Sequence, residues 1–223
     1  MKTINGSTLL VLVSVFLLPL LAGCNSAAEG PTLLIENGKI ELGFDKQDGS
    51  ISYFHAVEGS RELIDTSIIQ GSLWEMDMIT SSGIEQVDMY AAASFSSSNP
   101  DPSTLILQWS DFQSLENKDL RVVVKVSLEK DKAMSNWSIS LEGTEGLEIN
   151  RVVFPRVNGL LDMGTEYLAV PTWLGYLYHN PRESLEEMAE RARFTFDYPG
   201  ISLQMLAWYD PDTYGLYPVS YTH

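Results

Sequence analysis

Five apolar residues at every second position, Leu120, Val122, Val124, Val126 and Leu128, alternating with Arg121, Lys125, Ser127 and Glu129, constrain this chain most. Side chains of an extended strand point to opposite faces with period two, so this run predicts a strand with one face buried. Trp137, Ile139 and Leu141 alternate with Asn136, Ser138 and Ser140 in the same way, and the two runs are expected to be neighbours. Near the start, Thr32-Leu33-Leu34-Ile35-Glu36 and Lys39-Ile40-Glu41-Leu42-Gly43-Phe44 flank Asn37-Gly38, a pair of residues that favours the positive backbone angles of a hairpin turn. A second turn at Asp45-Lys46-Gln47-Asp48-Gly49 leads into Ile51-Ser52-Tyr53-Phe54, giving three antiparallel strands. Further strands are expected within Leu73–Ile79, Thr104–Trp109, Leu147–Phe154 and Ile201–Trp208, and a polar loop from Ser94 to Ser103.

One short amphipathic helix is expected after Asn180. Asn180 is a candidate cap, Pro181 suits the first helical position, and Glu183 can reach back to the cap. Leu185, Met188, Ala189 and Ala192 then share one face. Many short strands, a single helix and no repeat of fixed period imply an all-β fold: a large antiparallel β-sandwich.

The first 23 residues have a different character. Lys2 precedes the apolar run Leu9–Leu18, and the stretch closes on Leu21-Ala22-Gly23-Cys24. A positive start, a short apolar core and small residues at the end are the layout of a secretory signal. The last four residues resemble the lipobox of bacterial lipoproteins. Cys24 is the single cysteine, with no disulfide partner in the chain, and is expected to carry lipid. The expected organisation is therefore a signal peptide at 1–23, a flexible tether at 24–31 and one β domain over 32–223. The expected location is the bacterial cell envelope, anchored through Cys24 to the inner or the outer membrane.

Thirty acidic residues against fourteen basic give a formal charge of −16, which repels phosphate backbones and argues against a nucleic-acid partner. Imidazoles are few: His55, His179 and the final His223. No metal-ligand spacing, phosphate loop or nucleophile elbow is present in the sequence, so no metal, cofactor or catalytic residue is assigned. Glu166, Asp210 and Asp212 lie near aromatic residues and read as solvated turn residues.

The run from Tyr167 to His179 is dense in aromatic side chains with polar handles, notably Trp173, Tyr176, Tyr178 and His179. Two uses fit. Such rings can stack on the C–H faces of sugars while their polar atoms bond to hydroxyl groups. They are also what protein interfaces use.

The segments Leu34–Asp45, Asp48–Ile51, Arg61–Ile64, Ser202–Asp210 and Gly215–Tyr217 together resemble the start of large β-supersandwich domains, similar in fold to galactose mutarotase. Such domains precede a (β/α)8 barrel in bacterial glycoside-hydrolase-like lipoproteins. The resemblance implies a chain truncated before its catalytic barrel: an accessory, non-catalytic domain of a membrane-anchored carbohydrate-processing enzyme, with the barrel and a glycan as partners. A free-standing carbohydrate-binding surface lipoprotein is the alternative, and an aldose-epimerase-like enzyme a third reading. True mutarotases use a histidine acid and a glutamate base, and neither His55 nor His179 lies in a recognisable motif of that kind.

Overall fold

A computed structural model describes residues 32–68, 71–81, 83–115, 119–172, 174–184 and 203–219. The expected signal peptide and tether, with Cys24, lie outside them, as do residues 185–192 of the expected helix. Among the described residues no helix is long and apolar enough to cross a membrane.

The fold is all-β and antiparallel. Sheet 1 holds β1 (Thr32–Glu36), β2 (Ile40–Asp45), β3 (Ile51–Ala56) and β4 (Arg61–Glu62) in chain order. The predicted turns form it. Asn37 Oδ1 accepts from the amides of Lys39 (2.9 Å) and Ile40 (3.0 Å), Gly38 takes a φ of 76°, and Glu36 is brought opposite Glu41. Gly49, at φ 80°, closes the second turn.

Sheet 3 joins β5 (Glu75–Thr80) to β6 (Gly83–Asp88) and later recruits β11 (Glu148–Val153) to the other side of β5. Between them the chain builds sheet 2 from β7 (Ala92–Asp101), β8 (Thr104–Phe112), β9 (Arg121–Leu128) and β10 (Ser135–Glu142). The two alternating runs are neighbours as expected, with Trp137 opposite Val126 and Ile139 opposite Val124. Sheet 4 places β12 (Tyr167–Val170) between β13 (Tyr176–His179) and β14 (Ala207–Tyr209), with β15 (Gly215–Leu216) beyond β14.

Among the described residues, four sheets of three or four strands thus replace the two large ones expected, a sheet size shared with propeller blades. Sheets 1, 2 and 3 nevertheless bury their inner faces together. Leu42 and Phe44, Met76 and Met78, and Leu107, Val122 and Val124 belong to one apolar cluster. Aromatic contacts tie it across sheets: Phe44 to Trp137 at 5.7 Å, and Trp74 to Trp109 at 5.8 Å. Trp109 Nε1 also donates to the carbonyl of Asp48 at 2.8 Å, fastening the second turn of sheet 1 to sheet 2.

Two local expectations are corrected. The polar segment from Ser94 to Asp101 is part of β7, an exposed edge strand, rather than a loop. An edge strand needs only one bonded side, so serines and Pro100 are tolerated there, and the ladder is irregular between Ser98 and Asp101. The helix does start at residues 181–184, and the amide of Ser184 donates to the carbonyl of Asn180 at 3.3 Å. Asn180 itself has a φ of 48°, left-handed where an N-cap is extended.

Candidate functional site

Period-two geometry splits the aromatic run between the two faces of sheet 4. Glu166, Leu168, Val170 and Thr172 are all buried, whereas Tyr167, Ala169 and Pro171 between them are only half-buried. Pairing carries the division across the sheet. Tyr167 lies opposite His179 on one side and Tyr209 on the other, and Leu168 lies opposite Tyr178 and Trp208. His179 therefore shares the open face with Tyr167 and Tyr209, while Tyr176 and Tyr178 belong with Trp208 on the other face.

Of the four sequence-predicted residues, the three that are described thus divide between the two faces. Tyr176 and Tyr178 stack on each other at 6.2 Å, and Tyr176 is 60% exposed. His179 meets Tyr167 edge to face at 4.5 Å. Trp173 lies outside the described residues. The row gathered on the open face is His179, Tyr167, Tyr209 and Tyr217. Tyr167 and Tyr209 are stacked at 5.7 Å with 22° between their planes, and Tyr209 and Tyr217 at 6.3 Å with 19°.

Gly215 lets this happen: a Cβ there would collide with the Cβ of Tyr209, so β15 can lie against β14 only without a side chain. Near-parallel rings this close are offset-stacked. The inner rings cover part of each other's faces and present their edges, while Tyr217, 59% exposed, ends the row.

A half-buried arginine on a buried glutamate fixes the end of the sheet that carries the row. Arg182 donates to both carboxylate oxygens of Glu166, at 2.8 Å each, and to the carbonyl of Leu161 at 2.8 Å. Its guanidinium also lies over the Trp208 ring at 5.3 Å. The backbone carbonyl of Glu166 accepts from the amide of Asn180 at 3.0 Å, next to His179. The Glu166 carboxylate holds the already charged Arg182 further up its basic range, chiefly through these hydrogen bonds.

Asp210 is likewise buried and accepts from the amides of Thr165 (3.2 Å) and Asp212 (2.8 Å). The reading of Glu166 and Asp210 as solvated turn residues is therefore corrected; Asp212 is exposed. Both buried carboxylates are engaged in holding backbone and Arg182 in place.

A histidine does meet a carboxylate, on sheet 1. His55 Nδ1 lies 3.2 Å from Glu41 Oε2, which also accepts from Tyr53 Oη at 3.1 Å. Tyr53 and His55 stack at 5.8 Å, and Glu62 is paired opposite His55. Burial, with the carboxylates of Glu62 and Glu41, pushes the Tyr53 phenol up to about 12, so it stays neutral and donates. Among the described residues no group of three or more His, Cys, Asp or Glu side chains is placed to hold a metal ion.

In the sequence Tyr167 stands only as the start of the aromatic run, and Tyr209 and Tyr217 only within the segments of the resemblance. The available signal was their odd spacing about buried even-numbered neighbours, but β12 and β14 are far apart in the chain, and only the fold brings them side by side. No family model matches the sequence, and no curated protein matches it.

Proposed function

We propose that this chain is a non-catalytic accessory β domain of a lipid-anchored, carbohydrate-processing protein, and that it touches glycan through the open face of sheet 4. The observation that carries this reading is the row His179–Tyr167–Tyr209–Tyr217. Four amphipathic rings run across one sheet face: backbone pairing sets His179, Tyr167 and Tyr209 side by side, and Tyr217, just past β15, stacks on Tyr209. A site of that kind is preorganised, and little side-chain freedom is lost when it binds. The end rings offer partly open faces for sugar C–H groups, and the inner rings offer edges. The buried carboxylates behind the sheet are held by backbone amides and Arg182, which suits a supporting role.

The test is retention of the detergent-purified full chain in gels containing a panel of polysaccharides, with sugar release measured in parallel. Retention without release is expected, reduced by Tyr209→Ala. Release of sugar would overturn the non-catalytic reading. Anchoring through Cys24 predicts that labelled fatty acid is incorporated in bacteria and that Cys24→Ser abolishes it.

A second reading, a protein-docking surface, is favoured by Leu174 and Leu177, exposed aliphatic residues beside Tyr176 that offer a sugar no polar handle. It predicts that the chain ignores every glycan and that Leu177→Ser weakens assembly with a partner domain.

A further inference from the structure

We infer that the open face of sheet 4 takes an uncharged glycan and rejects uronate or sulfated ones; this rests on the glycan-contacting reading above. The four strands of the sheet contain no lysine or arginine. Among the described residues two guanidinium groups approach from elsewhere, and each already makes contacts of its own. Arg182 is committed to Glu166, Leu161 and the Trp208 ring, and Arg61 lies over the Tyr214 ring at 4.9 Å.

Among the described residues, exposed carboxylates follow the strands of the sheet. Asp212 is exposed in the turn between β14 and β15, and Glu183 is exposed shortly after His179. A carboxylate or sulfate on a sugar loses hydration on docking and needs a cation or a set of amide donors in return. Here it would meet rings on strands that carry no lysine or arginine, in a chain whose formal charge is −16. Phenol hydroxyl groups donate and accept, as sugar hydroxyl groups do, so an uncharged glycan asks nothing that this face lacks.

The experiment is affinity electrophoresis of the full chain through gels holding a neutral β-glucan, xylan or mannan, and through gels holding polygalacturonate, each at low and high salt. Retardation by at least one neutral polymer is expected, unchanged by salt, with none by polygalacturonate at either salt. Tyr217→Ala, at the exposed end of the row where truncation spares the core, is expected to weaken retardation roughly three- to tenfold. Circular dichroism checks that this variant keeps its strands.

Retardation by polygalacturonate at low salt, lost at high salt, would overturn the uncharged class while leaving glycan contact standing. Retardation by neither polymer would overturn the glycan reading itself. Neutral binding indifferent to both Tyr217→Ala and Tyr209→Ala would remove the site from sheet 4.

Discussion

Two glycines in neighbouring turns separate conformational strain from steric exclusion. Gly38 and Gly49 have nearly the same left-handed φ, 76° and 80°, but a Cβ at Gly38 would meet nothing within 4 Å, whereas at Gly49 it would lie 2.6 Å from Trp109 and 2.7 Å from Phe95. Gly38→Ala is expected to cost about 1–2 kcal/mol, the left-handed penalty alone. Gly49→Ala adds overpacking against fixed rings and is expected to cost about 2–4 kcal/mol. Urea unfolding of the pair measures the difference; equal losses would mean that sheet 2 yields to the turn. Tyr53 gives a pH signature at the same scale. Its folded-state value of about 12 lies above the ordinary 10, so the unfolded chain gives up the proton first. The stability it contributes is complete below pH 10 and is lost as pH rises towards 12. Tyr53→Phe is expected to flatten that alkaline decline, read from denaturation midpoints across the interval.

At the scale of elements, strands with one clean buried face were legible and strands defined by pairing were not. β9 shows its buried face in every second residue, and β1 to β3 are punctuated by turns whose Asn and Gly chemistry is local. β7 reads as a loop because its serines and Pro100 carry no burial pattern, and only its ladder with β8 makes it a strand. In sheet 4 the residue types of the site were visible but not their division between faces. Tyr176, Tyr178 and His179 are close in sequence, yet alternation sends His179 to the opposite face. Tyr209 and Tyr217 arrive from a distant segment. Arg182 was equally hidden, because a lone arginine early in a helix announces nothing about a buried glutamate just before a strand. Its removal tests how the element is held. Glu166 is 3% exposed, so Arg182→Ala leaves a buried carboxylate without its cation. The expected cost is about 2–3 kcal/mol, discounted because 38% of the Arg182 side chain meets solvent. Arg121→Ala, which breaks the exposed pair with Glu142, is expected to cost under about 1 kcal/mol. Similar losses for the two variants would show that the Glu166 cluster does not hold the sheet.

Across the whole described β region, burial is uneven in a way that bears on function. Sheets 1, 2 and 3 share one apolar cluster that includes Trp74, Trp109 and Phe112. The buried apolar residues of sheet 4 and its approaches, Met163, Leu168, Val170 and Ala207, stand outside that cluster, and its strands are two to four residues long. Fewer apolar contacts and shorter ladders lower the free energy needed to open a region without unfolding the rest. Native-state hydrogen exchange is therefore expected to show β8 and β9 protected to the level of global unfolding, with β12 to β15 exchanging through a smaller, local opening. Low concentrations of denaturant should leave the rate for sheet 4 nearly unchanged while accelerating the rate for β8 and β9, because only the global event exposes much surface. A contact face on such a sheet gains stability from whatever it binds. A neutral polysaccharide that binds there is then expected to slow exchange in β12 to β15 first, leaving β8 and β9 unaffected. Equal protection of all four sheets in the free chain would contradict this hierarchy and make sheet 4 part of the same cooperative unit.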